Sequence, residues 1–324
     1  MRAIVMTGEG GVHLRDVANL TPNADEVLVE VKANALNRAD LLILNGSTHG
    51  NWKAQAGGIL GLEWAGVIVE TGSEVTEYRV GDRVMGSGGS AFAEYVVPKR
   101  KMYRIPPAMS YEQAASMPIA LQTMHDAIVT HGAIQPGATV MVQGASSAVA
   151  VLGMQIAKHK GAGKVIGTSR SDAKCKEIVK YGADVCININ DADWIARALE
   201  ETGGKGADLL IDFLAGPYMN TNLELTKVGG RLINIGRVAG EQGMFDFDLH
   251  NMRRIYCIGL SFRLRTQEEG NEIIERASRD LYPLLEKGAL SMPIDSIYPF
   301  EEAAAALEHM KSNRHFGKIV LQHG

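Results

Sequence analysis

Cysteine is scarce in this 324-residue chain, and none precedes Cys175. The other two cysteines are Cys186 and Cys257. No two of the three form a C-x-x-C pair, and three thiols far apart in sequence offer no disulfide framework. These absences argue against a structural zinc site and against a disulfide-stapled secreted fold. We therefore expect three buried, reduced thiols.

Long apolar runs and an excess of one charge are also missing. No run approaches the roughly 18 apolar residues of a membrane-spanning helix, and the apolar stretch within MRAIVMTGEG is too short for a signal-peptide core. The 33 Lys and Arg residues are balanced by 37 Asp and Glu residues, for a net charge of −4. A nucleic-acid-binding protein usually shows a basic excess. We expect a cytoplasmic protein with neither a nucleic-acid nor a membrane partner.

Glycine, in contrast, is abundant. It accounts for 36 of the 324 residues, about 11% against a usual share of about 7%, which indicates tight turns or close backbone approaches. Hydrophobic residues at 46% and charged residues at 22% are ordinary for a globular chain, and they exclude a disordered, collagen-like or coiled-coil protein. The length exceeds what one hydrophobic core usually serves, so two domains are expected.

The first part of the chain is a series of short strand-like segments. They are separated by turn signals such as Gly72-Ser73 and Gly81-Asp82, and they cover residues 3–5, 27–31, 66–70, 82–85 and 93–97. Many short strands at this spacing predict an irregular β-barrel.

The pattern changes near Ser110. Residues 111–132 have helical spacing, and apolar strands then alternate with amphipathic helices. The predicted strands are 139–142, 164–168, 184–187, 207–212, 230–235 and 255–260, and the helices are 147–159, 172–181, 193–201 and 217–226. Such alternation predicts βαβ units and a doubly wound parallel sheet.

The C-terminal part departs from this alternation again. Helices near 267–287 and 300–311 and a strand at 318–321 are too few for a domain, so we expect them to complete the first one. The fold class is thus α/β. One discontinuous domain comprises 1–121 and 260–324, and a nucleotide-binding domain comprises 122–259.

The segment TVMVQGASSAVAVLGMQIAK, residues 139–158, predicts a buried strand, a turn and a helix. A helix N-terminus presents unpaired N–H groups and a positive dipole end, and a diphosphate binds there when the surrounding side chains are small. The turn carries only small residues after Gln143. The G-x-G-x-x-G pattern is nevertheless absent, so a plain buried strand–helix turn is an equally good interpretation.

The same turn reads as G-x-S-x-A, which is close to the nucleophile elbow of a serine hydrolase, with Ser146 as nucleophile. A serine nucleophile needs a histidine activated by a carboxylate. The later histidines His159, His250, His309 and His315 lie in no recognisable loop after a strand. The hydrolase therefore remains a remote alternative.

The end of the next strand favours the nucleotide interpretation. An NAD site usually carries an acidic residue there, whereas this chain has Thr168, Ser169 and Arg170, with Lys174 one helical turn further. Cationic and hydroxyl groups at one point suit a 2′-phosphate, which predicts NADPH. Arg170 and Lys174 also fit a solvated helix start, and Asp172 falls two residues late for an NAD-binding acid.

Several motifs together resemble one known family over essentially the whole chain. They are Asn37-Arg38-Ala39-Asp40-Leu41, the segments 61–68 (GLEWAGVI), 81–84 (GDRV), 91–95 (AFAEY), 114–118 (AASMP), 181–184 (YGAD) and 229–232 (GGRL), and finally 262–265 (FRLR) and 317–321 (GKIVL). In order and spacing they resemble the medium-chain dehydrogenase/reductase superfamily, in its zinc-free quinone oxidoreductase (zeta-crystallin-like) branch. The resemblance implies a GroES-like irregular β-barrel catalytic domain and a Rossmann nucleotide-binding domain.

Zinc-bearing members of the family place a Cys near residues 37–40 and a His directly before the Glu of the second motif. Ala39 and Leu62 stand at or near those places here. A catalytic zinc needs three protein ligands, and no cysteine precedes Cys175, so we expect no metal.

The resemblance also implies the site residues. Asn37 and Thr123 would lie near the nicotinamide, together with the segment 259–263, from which Ser261, Phe262 and Arg263 are expected to contact the cofactor. The diphosphate would be held by Gly144, Ala145, Ser146, Ser147, Ala148 and Val149, and the 2′-phosphate by Ser169, Arg170 and Lys174. Phe213, Ile235 and Gly236 would line the dinucleotide groove, and Asn313 completes the expected cofactor contacts.

The expected reaction is hydride transfer from NADPH to a quinone, and reduction of an enone or 2-alkenal C=C bond is the alternative. A non-catalytic NADPH-binding protein is a remote one. The expected catalytic residues are Asn37, Asp40 and Thr123. A hydrogen bond to the acceptor's carbonyl oxygen would come from Asn37, Thr123 or Arg263. Asp40 either orients the Asn37 amide or is a surface carboxylate, and His49 is either a proton donor or a solvated loop residue. Residues 255–260 form an apolar edge strand, which predicts a homodimer.

Overall fold

The computed structural model describes residues 1–8, 10–46 and 56–324. His49, considered above as a proton donor, lies outside the described residues. The chain forms two compact units: Met1–Gln122 with Phe262–Gly324, and Thr123–Ser261.

The helices and strands follow in chain order. The first stretch contains β1 (Arg2–Met6), β2 (Val12–Asp16), β3 (Val27–Ala35), α1 (Arg38–Leu44), β4 (Glu63–Thr71), β5 (Arg83–Ser87), β6 (Tyr95–Val96), β7 (Tyr103–Arg104), α2 (Tyr111–Ala115) and α3 (Pro118–His125). The middle stretch contains β8 (Thr139–Gln143), α4 (Ala148–His159), β9 (Lys164–Ser169), α5 (Asp172–Lys180), β10 (Val185–Asn188), α6 (Trp194–Glu201), β11 (Ala207–Asp212), α7 (Met219–Leu225), β12 (Thr226–Asn234), α8 (Phe247–Arg253) and β13 (Tyr256–Gly259). The last stretch contains α9 (Gln267–Glu286), β14 (Ile294–Pro299), α10 (Ala303–Lys311) and β15 (Lys318–Gln322).

The first unit is built on a mostly antiparallel sheet. Its strand order is β14-β15-β3-β4-β5-β7, β6 also pairs with β3, and a separate ribbon joins β1 to β2. Along β3 the side chains alternate between buried and partly exposed, as expected of a strand with one face on a core. Because β15 pairs antiparallel with β3, the last strand of the chain belongs to the same sheet as the early strands.

The second unit is a six-stranded parallel sheet of order β10-β9-β8-β11-β12-β13. This is the doubly wound order, and it confirms the predicted parallel sheet. The strand order reverses between β8 and β11, so the carboxyl ends of these two strands border the crevice where such sheets bind ligands. At the outer edge lies β13, with Tyr256 and Cys257 exposed.

The predicted helical segment 111–132 is broken in the structure. It consists of α2, α3 and a π-helical turn at Asp126–His131. Pro118 stands at the first position of α3, where its missing N–H is tolerated, and its ring prevents α2 from continuing through it. The strand predicted at 230–235 also begins four residues earlier, at Thr226.

The expectation of three buried thiols is wrong. Cys175 in α5 and Cys186 in β10 form a disulfide with their Cα atoms 5.1 Å apart, and Cys257 is exposed. The two partners meet because α5 packs against β10, a contact that sequence spacing alone does not reveal.

No helix in the described ranges has the length and apolar character needed to cross a membrane.

Replacement of Gly66 tests the packing of β3 on β4. An added Cβ would lie 2.1 Å from the Glu30 carbonyl oxygen and 2.8 Å from Cγ1 of Val29. Gly66→Ala therefore forces the two strands apart, and we expect the free energy of unfolding to fall by about 2–3 kcal/mol in urea titrations. Gly88→Ala is the matched control, since a Cβ there meets nothing within 4 Å, and we expect a change within about 0.5 kcal/mol. Equal effects of the two substitutions would contradict this account.

Candidate functional site

Four polar side chains form a buried cluster in the first unit: Asn37, Asp40, Glu63 and Lys318. Asn37 and Asp40 lie at the start of α1, directly after β3, while Glu63 begins β4 and Lys318 begins β15. Since β3 pairs with both β4 and β15, the strand ends that carry these residues meet. Lys318 is 2% exposed and Glu63 is fully buried, so each charge depends on protein partners.

The Asn37 carboxamide is held from both sides. Lys318 Nζ donates to Asn37 Oδ1 at 2.8 Å and to Glu63 Oε2 at 2.5 Å. Asn37 Nδ2 donates to Glu63 Oε2 at 3.0 Å and to the Ala35 carbonyl at 3.3 Å. Glu63 Oε1 accepts the Ile119 backbone N–H at 2.7 Å. The amide therefore has one defined orientation, and both of its N–H groups are already engaged.

Both interpretations of Asp40 are corrected by the structure. Asp40 is fully buried, so it is not a surface carboxylate. Its Oδ2 accepts the backbone N–H of Asn37 at 2.7 Å, and the side-chain amide is oriented by Glu63 and Lys318 instead. Asp40 lies one helical turn from Asn37 and caps the first turn of α1, which is why the contact is to the main chain.

Burial also changes the acidity of Asp40. Loss of hydration raises the pKa of this carboxyl to about 7, and the Glu63 charge acts in the same direction. The Asn37 N–H and the Lys318 ammonium oppose the rise. The second oxygen, Oδ1, has no hydrogen-bond partner within the described ranges. The pKa of Asp40 therefore lies near neutral pH.

In the second unit, the predicted phosphate turn lies between β8 and α4. Gly144 adopts a φ of +78°, which glycine tolerates. Its N–H donates to Thr168 Oγ1 at 3.1 Å, and the Ala145 N–H donates to the Thr168 carbonyl at 2.8 Å. Ser147 Oγ accepts the Ala150 N–H at 3.1 Å and so caps α4. Small side chains and these bonds shape the turn without further glycines.

The amide groups of this turn divide into two sets. Those of Gly144 and Ala145 are engaged as above, and the Ser147 N–H donates to the Gly144 carbonyl at 3.2 Å. The N–H groups of Ser146, Ala148 and Val149 have no partner in the described part of the chain. The last two belong to the first turn of α4, where free N–H groups and the helix dipole attract an anion. Three of the six residues predicted to contact the diphosphate thus keep a free backbone N–H.

The turn lacks the strained backbone that is typical of a nucleophile elbow. The serine of such an elbow sits on a strained backbone, whereas Ser146 has no positive φ. This observation counts against the serine hydrolase alternative.

The residues predicted to bind the 2′-phosphate lie at the end of β9. Arg170 is exposed, and its guanidinium makes no hydrogen bond or ion pair with the described chain. Its carbonyl accepts the Asn190 side-chain amide at 2.9 Å, which fixes the backbone. Ser169 next to it is buried, and Lys174 lies in the first turn of α5. Thr168 is not available here, because its buried hydroxyl donates to Gln143 Oε1 at 2.6 Å.

Phe213, Ile235 and Gly236 come together after β11 and β12. A Cβ on Gly236 would lie 2.6 Å from the Phe213 carbonyl oxygen, so only glycine permits this approach. Buried Asp212 accepts the Leu214 N–H at 2.8 Å and stabilises the loop after β11. These residues follow the carboxyl ends of β11 and β12, the edge at which doubly wound sheets bind ligands.

The remaining predicted residues are dispersed along the chain. Thr123 lies in α3 at the start of the second unit, and Ser261 is that unit's last residue, whereas Phe262 and Arg263 begin the second segment of the first unit. Asn313 has a φ of +59°, and its Oδ1 accepts the Arg38 guanidinium. Within the described ranges, no three His, Cys, Asp or Glu side chains are grouped as metal ligands.

Sequence reasoning missed Glu63 and Lys318 as site residues. Both occur in the quoted motifs GLEWAGVI and GKIVL. A lysine that opens an otherwise apolar strand was the available signal, because a buried lysine needs a carboxylate partner.

The raised pKa of Asp40 predicts a pH-dependent stability. Its ordinary value is 3.8. Between that pH and about 7 the unfolded carboxyl ionises while the folded one stays protonated, so its contribution to stability falls as pH rises. Asp40→Asn removes the titration and keeps an acceptor for the Asn37 N–H. We expect the stability of the variant relative to wild type to grow by roughly 2 kcal/mol from about pH 5 to pH 8. Urea titrations measure it, and a pH-independent difference would refute the assignment.

Two family models match the chain: an alcohol dehydrogenase GroES-like domain over residues 23–107 and a zinc-binding dehydrogenase over residues 148–279. Quinone oxidoreductase of Rattus norvegicus is 30% identical, and the match covers 99% of this chain and 97% of that protein. The low-reducing polyketide synthase drtA of Aspergillus calidoustus is 27% identical over 93% of this chain, which spans only 12% of its length.

Solved structures superpose on this chain over its whole length. An NAD-dependent alcohol dehydrogenase superposes with a TM-score of 0.86 at 29% identity, covering all of both chains. Escherichia coli quinone oxidoreductase complexed with NADPH superposes with a TM-score of 0.86 at 25% identity, covering 99% of this chain and all of the other. These matches confirm the expected GroES-like and Rossmann architecture. The chain is an oxidoreductase that belongs to the medium-chain dehydrogenase/reductase superfamily, in its zinc-free quinone oxidoreductase-like branch.

Proposed function

We propose that the protein is an NADPH-dependent, zinc-independent enzyme that transfers a hydride to a quinone. The unpaired guanidinium of Arg170, at the end of the strand that follows the phosphate turn, is the observation that carries the proposal. Membership of the family supports a nicotinamide cofactor, and the choice of NADPH rests on Arg170. The quinone acceptor is supported by the 30% identity to quinone oxidoreductases.

The second unit has the donors that such a cofactor needs. The free amides of Ser146, Ala148 and Val149 at the start of α4 suit the diphosphate. Arg170, with Ser169 and Lys174 beside it, suits the 2′-phosphate, because a guanidinium binds phosphate through two parallel hydrogen bonds. The loops after β11 and β12, which carry Phe213, Ile235 and Gly236, are proposed to line the groove for the rest of the dinucleotide.

When bound, NADPH supplies the hydride. The chain orients the reactants and excludes water. A quinone needs little acid catalysis, since the hydroquinone anion takes its proton from solvent. Thr123 and Arg263 are proposed to donate a hydrogen bond to the acceptor's carbonyl oxygen. Asn37 is less suited to that role because both of its N–H groups are engaged.

Reduction of a C=C bond conjugated to a carbonyl is the second candidate function. The match to a reducing polyketide synthase over 93% of this chain favours it. This reaction depends more on polarisation of the carbonyl, so it would place more demand on Thr123 and Arg263 than quinone reduction does.

We further propose a cytoplasmic homodimer. Support for the dimer comes from β13, which is the outermost strand of its sheet and has an exposed Tyr256. Unpaired strand edges are ready templates for pairing with a second chain.

Removal of the Arg170 guanidinium tests the cofactor preference. We expect Arg170→Ala to raise the KM for NADPH by about 10- to 100-fold, because a hydrogen bond to a charged group contributes roughly 1.5–3 kcal/mol. The KM for NADH should change less than about twofold, since NADH has no 2′-phosphate for Arg170 to contact. Lys176→Ala is the control, because Lys176 is an exposed cation on the same helix α5. A wild-type enzyme that uses both cofactors equally would contradict the proposed role of Arg170.

A panel of ortho-quinones, para-quinones and enones, assayed with NADPH and NADH, tests the acceptor. We expect kcat/KM to be higher for a quinone than for any enone, because quinone reduction depends less on polarisation of the carbonyl. Faster enone turnover would replace the first candidate function by the second. NADPH binding with no turnover of either class would leave a non-catalytic NADPH-binding protein.

A further inference from the structure

Two asparagines at the end of β10 hold the loop that carries Arg170. Asn190 Nδ2 donates to the Arg170 carbonyl at 2.9 Å. Asn188 Nδ2 donates to Asp172 Oδ1 at 2.8 Å, and Asn188 Oδ1 accepts the Asn190 N–H at 3.1 Å. The loop between β9 and α5 is thus held from β10 both by its main chain and by its aspartate side chain.

Asp172 is the carboxylate closest in sequence to the proposed 2′-phosphate site. It is the only acidic residue between Thr168 and Lys174, and it is the nearest charged neighbour of Arg170 along the chain. A carboxylate at this point repels a phosphate group and competes with it for the guanidinium. The use of this loop for a 2′-phosphate therefore requires that the Asp172 carboxylate be engaged elsewhere.

The hydrogen bonds of the loop meet this requirement. The Arg170 guanidinium makes no hydrogen bond or ion pair within the described ranges, whereas Asp172 accepts from Asn188. The Asn188 side chain is itself held in place, because its oxygen accepts the Asn190 N–H. A neutral amide thus engages the carboxylate without adding a charge to the site.

We propose that Asn188 is a specificity-determining positioning residue, which holds the Asp172 carboxylate so that Arg170 stays open to a 2′-phosphate. This inference rests on the proposed function, in which Arg170 selects NADPH over NADH. Without the Asn188 amide, Asp172 pairs with Arg170 in part of the molecules, and only the unpaired fraction binds the phosphate at full strength. An exposed ion pair is weak, so the loss of affinity is about two- to sixfold.

Asn188→Ala removes the amide that holds Asp172. Isothermal titration calorimetry of the complete protein measures Kd for NADP⁺ and for NAD⁺, which differ only in the 2′-phosphate. We expect the Kd for NADP⁺ to rise about two- to sixfold and the Kd for NAD⁺ to change less than about 1.5-fold. The ratio of the two values is insensitive to a partly unfolded sample, because both ligands report on the same folded fraction. Asn251→Ala is the matched control and should leave the ratio unchanged, since Asn251 is exposed on α8 of the same unit.

A second substitution separates this role from general support of the loop. Asp172→Ala removes the carboxylate that Asn188 holds. In that background we expect Asn188→Ala to have no further effect on the ratio of the two Kd values, because no carboxylate is left to compete for Arg170. If Asn188 only maintained the turn to Asn190, its loss would weaken NADP⁺ binding equally in both backgrounds.

The remaining outcomes separate this inference from the proposed function. A preference of wild type for NADP⁺ that survives unchanged in Asn188→Ala overturns the role of Asn188 and leaves the proposed function intact. An equal loss with and without Asp172 overturns it as well, because the effect then does not act through the carboxylate. A wild type that binds NADP⁺ no more tightly than NAD⁺ overturns the proposed role of Arg170, and this inference with it.

Discussion

The buried ion pair between Lys318 and Glu63 is the constraint on which the first unit depends. It joins residues 255 positions apart and ties the last strand of the chain to the start of β4. A charge removed from water requires an opposite charge and hydrogen bonds around it, and loss of one partner typically costs about 3–5 kcal/mol. The pair therefore favours the sheet in which β15 lies beside β3. The same two groups hydrogen-bond Asn37, so the placement of β15 and the orientation of a site residue share one interaction.

A comparable polar chain supports the second unit. Asn222 Oδ1 accepts from Gln143 Nε2 at 3.0 Å, and Gln143 Oε1 accepts from the Thr168 hydroxyl at 2.6 Å. Thr168 Oγ1 in turn accepts the Gly144 N–H. All three side chains are buried, where hydrogen bonds between side chains are stronger than in water. The phosphate turn is thus shaped by hydrogen bonds from neighbouring strands, which explains how it forms with one glycine instead of three.

Much of the fold follows from local patterns in the sequence. Apolar strands that alternate with helices dictate the parallel sheet, because only a crossover helix can return the chain to a parallel neighbour. The cationic end of β9, which carries the exposed Arg170, can also be predicted from the sequence, because residues that are neighbours in the chain form it. The break at Pro118 was recognisable too, because proline restricts the residue before it. Glycine marks the strand turns more often than the phosphate turn, contrary to what its abundance first suggests.

The sequence by itself thus determined the fold class, the family and the position of a cationic strand end beside a turn of small residues. Only the tertiary structure decided that Asp40 is buried with a pKa near 7, and that Cys175 meets Cys186. It alone also decided that Asn37 is held by Lys318 and Glu63. The reason is the sequence separation over which each effect acts. Periodicity and turn chemistry act over a few neighbouring residues, whereas burial, pairing and pKa depend on groups that strand pairing brings together from distant parts of the chain.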